Sequence, residues 1–87
     1  MTEFEYSKKF IKKYNKLNNK IKTKVGERLK IFSLNRFDQI LNNHKLHGEY
    51  RDYFSLNVNA DIRIVCKKIS EERYFLLDIG THSELYD

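Results

Sequence analysis

The chain has 87 residues, room for one small domain on a core that is only just sufficient, and a second domain is excluded. Hydrophobic residues make up 40% and aromatics 14%, all tyrosine or phenylalanine, so a compact core is attainable despite 33% charged residues and a net charge of +5. A single cysteine, Cys66, rules out an internal disulfide, and no apolar run approaches membrane-spanning length.

The opening Met1-Thr2-Glu3-Phe4-Glu5-Tyr6 lacks the basic-then-apolar order of a secretory signal. With one cysteine set in an apolar run, this predicts a reducing, cytoplasmic setting. Glu3 to Tyr6 alternates polar and aromatic residues and predicts a short first strand, followed by Ser7 as a helix N-cap. Phe10, Tyr14, Leu17 and Ile21 then recur at helical spacing, so one face of an amphipathic helix is apolar and the lysines fall on the other. Asn18-Asn19 weakens that helix, and Val25, Leu29 and Phe32 predict a second from about Thr23 to Ser33, packed on the first as an antiparallel hairpin. Gly26 inside it is either a local cost of about 1 kcal/mol or the mark of a close helix contact.

Between Lys8 and Lys30 lie ten basic residues against one acid, Glu27, while the rest of the chain is slightly acidic. Such asymmetry points to nucleic acid, an acidic membrane face or an acidic protein partner; a solvated helical face accounts for it equally well. Asn35 to Gly48 has no clean period and reads as a long connection pinned by Phe37, Ile40 and Leu41, carrying His44, Lys45 and His47. Tyr53 to Val58 and Ile62 to Cys66 form a hairpin pattern around Asn59-Ala60-Asp61, and Tyr74 to Ile79 gives a last strand after a turn at Ser70 to Arg73. The predicted fold is a single α+β domain over residues 1–87: a short first strand, a helical hairpin, then a three-stranded antiparallel meander with the helices on one face.

Alternation along these strands sends Phe54, Leu56, Val58, Ile62, Ile64 and Cys66 toward the helices and leaves Tyr53, Asn57, Arg63 and Lys67 on the other face. A polar, cationic surface with an aromatic suits a stacked base and its phosphate, although an ordinary solvated face gives the same pattern. His44 and His47 stand three apart in a loop and His82 lies far along the chain, so no metal site is expected. No serine or cysteine sits in a nucleophile elbow. A general acid/base site needs only imidazole, carboxylate or phenol groups: His44 and His82 to exchange protons, Asp61 to orient or accept, and Arg63 to hold a phosphate.

Three stretches resemble one family. Asn43-His44-Lys45-Leu46-His47-Gly48-Glu49-Tyr50, then Asp61-Ile62-Arg63-Ile64-Val65, then Asp78-Ile79-Gly80-Thr81-His82-Ser83-Glu84-Leu85-Tyr86 are similar to the RelE superfamily of bacterial toxins, closest to its YafQ-like branch. The Phe10-Ile11-Lys12-Lys13-Tyr14 helix fits as well. The resemblance implies a RelE-like toxin fold and a ribosome-dependent endoribonuclease that cuts messenger RNA by activating the ribose 2′-hydroxyl. It implies neither metal nor small-molecule cofactor, and partners that are the ribosome, the message and a cognate antitoxin rather than a membrane. Carried over by position, His44, Asp61, His82 and Tyr86 are the expected catalytic residues. Arg63, Lys45 and Arg51 are the expected phosphate contacts, and Lys12, Lys13, Lys16 and Lys20 the supporting basic surface. Asn57 stands where the branch has a further active-site histidine and Ile62 where it has a tryptophan; an amide cannot shuttle a proton at neutral pH. Two rival expectations follow, a gyrase inhibitor of the ParE kind and a module that binds ribosome or antitoxin without cutting.

Overall fold

The computed structural model describes residues 1–86. β1 (Glu3–Tyr6) leads through Ser7 into α1 (Lys8–Asn15), whose start is fixed by the Ser7 hydroxyl accepting from the Phe10 N–H at 2.9 Å. The first helix is shorter than its apolar period suggests. Asn18 caps α2 (Asn19–Leu34), its side-chain oxygen accepting from the Ile21 N–H at 2.9 Å, so Ile21 belongs to the second helix and the break precedes Asn19. An asparagine at that position serves the second helix better as a cap than the first as an interior residue.

The stretch expected as a plain connection holds more structure. A 3-10 turn (Gln39–Leu41) buries Leu41, a two-residue strand β2 (His44–Lys45) follows, and a second 3-10 turn spans Gly48–Tyr50. A strand of two residues has no period to read. β3 (Phe54–Asn57), β4 (Ile62–Ser70) and β5 (Arg73–Thr81) form the antiparallel meander, with β4 and β5 running further toward each other than expected because only Glu71 and Glu72 make the turn. The sheet has five strands in the order β1-β5-β4-β3-β2, and β1 pairs with β5 in parallel.

Phe10 from α1 and Val25, Leu29 and Phe32 from α2 pack onto Leu56, Val58, Ile64, Cys66, Leu76 and Ile79, all buried. Phe32 is the hub, stacked on Phe54 at 5.8 Å and edge-on to Tyr74 at 4.8 Å between ring centroids. Cys66 is a buried core thiol whose pKa burial pushes up, which makes it an unreactive small hydrophobe. A methyl at Gly26 would meet nothing within 4 Å, so the glycine serves no close helix contact and is a local cost to α2. Between α1 and α2 opens a cleft of about 360 Å³ lined by Phe10, Ile11, Tyr14, Val25 and Leu29. No helix is long and apolar enough to cross a membrane, among the described residues.

Candidate functional site

Cross-strand partners share a face, so the register defines what the sheet presents away from the helices. One row runs across four strands through His44, Ser55, Val65 and Asp78, and a second through Asn57, Arg63 and Gly80. The last β4–β5 pair is Ile62 with Thr81, and one residue beyond each stand Asp61 and His82. The fold therefore brings Asp61, Arg63, His82 and Asn57 to one end of this outer face. His44, on the far edge strand, lies three strand spacings from β5, roughly 14 Å of sheet.

The glycine-free hairpin turn is closed by Asn59, whose side-chain oxygen accepts from the Asp61 N–H at 2.8 Å and the Ile62 N–H at 2.7 Å. Its carbonyl accepts from Arg63 Nη1 at 2.8 Å, so the same residue aims the aspartate and steadies the guanidinium. At the opposite edge, Asn42 adopts a left-handed conformation with φ 45 that asparagine tolerates. Its carbonyl lies 2.7 Å from His44 Nδ1. A carbonyl can only accept, so Nδ1 carries a proton and Nε2 is the basic nitrogen of the neutral ring.

His82 opens α3 (His82–Tyr86), a terminal helix beyond the last strand expected from the sequence. Thr81 and Glu84 form a capping box, the Thr81 N–H donating to Glu84 Oε1 at 2.7 Å and the Glu84 N–H to Thr81 Oγ1 at 3.2 Å. Hydrogen bonds to the carboxylate from Thr81, its backbone N–H first and then its side chain, hold the Glu84 carboxyl below its usual range. The T-x-x-E spacing was the available signal. Gly80 leaves room beside the box: a Cβ there would lie 3.0 Å from Glu84 Oε1 and 3.2 Å from Lys13 Nζ, so these side-chain ends would have to shift by a few tenths of an ångström. One turn on, Tyr86 meets His82 edge-on with ring centroids 4.9 Å apart.

Because α3 folds back over Gly80, the outer face is not the wholly solvated surface that alternation suggests. Ser55 and Val65 are buried, while the Lys67 ammonium lies 5.5 Å from the centre of the Tyr53 ring. Ser55 Oγ, Asn57 Oδ1 and the Tyr86 hydroxyl are buried without a hydrogen-bond partner among the described residues.

The basic residues divide. Lys13 reaches Asp78 at 2.8 Å and Lys9 reaches it at 3.4 Å, pinning α1 to β5 beside Gly80. Burial alone would raise the Asp78 pKa, but hydrogen bonds from Lys13 and the Ile79 N–H and the charges of Lys13 and Lys9 together hold it below the usual carboxylate range. Lys13 is thus engaged in structure, whereas Lys12, Lys16 and Lys20 stand exposed. Lys45 pairs with Phe54 and so projects from the core side of β2, opposite to His44; with Arg51 it lines a separate groove and does not join Arg63. The ion pair at Asp78 escaped the sequence reading, although a carboxylate inside an apolar strand demands a partner. No group of three His, Cys, Asp or Glu able to hold a metal occurs among the described residues.

A terminal helix laid over a mixed sheet in this order matches the fold of solved bacterial toxins. Escherichia coli YafQ matches with a TM-score of 0.79 at 21% identity, with all of both chains covered. The E. coli DinJ-YafQ complex contains a match at 0.74 and 19%, again over 100% of both chains. The YoeB-YefM complex from Staphylococcus aureus gives 0.78 and 21%, covering 94% of this chain and 98% of that one. No curated protein matches in sequence. The family model for the bacterial YafQ toxin of type II toxin-antitoxin systems matches residues 2–87, and the chain belongs to that family.

Proposed function

We propose that this toxin is an endoribonuclease that cuts messenger RNA on the ribosome, using imidazole and carboxylate groups. The observation that carries the reading is the assembly of Asp61, Arg63 and His82 at one end of the outer face, with His44 across the sheet from them. His44 Nε2 takes the proton of the 2′-hydroxyl, whose oxygen attacks the adjacent phosphorus; the bond to the 5′-oxygen breaks and His82 returns a proton to that leaving oxygen. The products are a 2′,3′-cyclic phosphate and a 5′-hydroxyl. In-line displacement sets nucleophile and leaving group on opposite sides of phosphorus, and His44 on the β2 edge and His82 beyond the end of β5 would approach it from different sides. Arg63 offsets charge on the phosphate oxygens, Asp61 adds a carboxylate at the same end of the face, and Tyr86 packs against the His82 ring. Lys12, Lys16 and Lys20 supply attraction to ribosomal RNA. Message recovered after exposure to the toxin should carry 5′ ends that accept a label from a kinase without prior phosphatase treatment; 5′-phosphate ends would sink this chemistry.

A second reading is favoured by Asn57, whose amide cannot transfer a proton where the branch has histidine: a toxin that occupies its target without cutting. Intact message together with tight ribosome binding would decide for it. Either reading includes a cognate antitoxin, in keeping with the complexes of E. coli YafQ with DinJ and of S. aureus YoeB with YefM.

A further inference from the structure

We propose that the groove on the core side of β2 is a binding site for a nucleoside 5′-phosphate unit, either a free nucleotide or one residue of single-stranded RNA. This site shares only Tyr53 with the outer face and does not depend on the cleavage reading. It is a cavity of about 280 Å³ whose charged lining is Arg36, Lys45, Arg51 and Lys68 against a single acid, Asp52. Lys68 is paired with Glu71 at 3.3 Å, while Arg36, Lys45 and Arg51 form no ion pair among the described residues. Cations on a solvated face diverge; here they converge on one concavity, where their field favours an anion.

Arg36 is already set. Its Nη1 donates to the Tyr74 hydroxyl at 2.9 Å, its guanidinium lies 5.4 Å from the centre of the Phe37 ring, and its carbonyl accepts from Asn43 Nδ2 at 2.9 Å. A guanidinium held this way keeps further N–H donors for a phosphate oxygen at little cost in lost freedom. The wall and floor are aromatic, with Phe37, Tyr53, Phe54 and Tyr74 around the opening. Phe37 is 69% exposed and contributes nothing to the core, so the ring face away from the Arg36 guanidinium is available to a planar partner. Phosphate alone explains the cations and leaves the rings unused; a base joined to a phosphate uses both. The volume lies at the small end for ligand sites, matching one nucleotide and not a folded segment of protein.

The test is an amide-shift titration of the whole protein with adenosine 5′-monophosphate, adenosine, inorganic phosphate, a 5′-phosphorylated RNA trinucleotide and polyglutamate. The monophosphate should move Phe37, Asn43, Lys45 and Arg51 and bind at least about tenfold more tightly than adenosine or phosphate alone. Arg51→Gln and, separately, Lys45→Gln should weaken it by a similar factor with an unchanged unfolding midpoint, while His82→Ala binds as the parent does. A trinucleotide tighter than the monophosphate identifies RNA as the source; equal affinity identifies the free nucleotide. The proposal is overturned if phosphate matches the monophosphate, if the shifts fall on Arg63 and His82 instead, or if only polyglutamate moves the groove, which would make it a surface for an acidic protein.

Discussion

Replacing Asp78 by asparagine removes a charge that holds the first helix onto the last strand, at the point where that strand delivers His82. The side chain is only 14% exposed, and its partner Lys13 is 30% exposed and 2.8 Å away. Exposed ion pairs contribute about 0.2–1 kcal/mol, and breaking a buried one costs about 3–5. Asp78 lies between these limits, and asparagine still offers an oxygen to the Ile79 N–H, now 2.8 Å from the carboxylate. The expected loss is about 1–2 kcal/mol, with about 1 kcal/mol of coupling to Lys13 in a cycle with Lys13→Met, since Lys9, farther away and more exposed, adds less. The pH dependence fixes the sign. A carboxyl whose folded pKa lies below its unfolded value of about 3.9 stabilises fully above that value and loses the contribution as pH falls through the folded pKa. Urea unfolding should therefore show the parent ahead of Asp78→Asn near neutrality, with the gap closing in acid. Coupling indistinguishable from zero at neutral pH, or a gap that widens in acid, would refute the argument.

Three further outcomes follow from the geometry. Thr81→Ala removes the cap on α3 and should cost about 1 kcal/mol, read as faster hydrogen exchange at the Glu84 amide; unchanged exchange would mean that the capping box does not hold the helix. Gly26→Ala should stabilise α2 by roughly 0.5–1 kcal/mol in the same urea assay, because nothing stands where its methyl goes, and a lower midpoint would place an unseen constraint there. An acidic antitoxin crossing the basic surface should bind more weakly as salt rises, and an affinity flat across ionic strength would count against an electrostatic interface.

The sequence was most legible where its period was long and its turn chemistry ordinary. The sites of Phe10, Val25, Leu29 and Phe32 on the helices, and of Leu56 and Ile64 on the strands, follow directly from spacing, whereas Leu76 and Ile79 share the core only because a register shift opposite Val65 and Cys66 breaks the alternation of β5. β2 is two residues long, and only its pairing with β3 reveals that His44 and Lys45 point to opposite faces. That alternation is why Lys45, counted with Arg63 in one phosphate site, belongs to another groove. The parallel pairing of β1 with β5 is a contact over seventy residues of sequence, invisible to any local pattern. The terminal helix was readable in principle from Thr81 and Glu84, whose spacing is that of a capping box, with Gly80 just before it at a point where a Cβ would crowd Glu84 and Lys13.

The most direct test of the catalytic reading is to add purified toxin to translating ribosomes and map the message by primer extension, with the parent chain beside His82→Ala. A positioned general acid contributes about 10²–10⁴-fold. Cleavage by the parent that falls by at least about a hundredfold in His82→Ala is the predicted result. Intact message with the parent, or equal cleavage by both proteins, would contradict it.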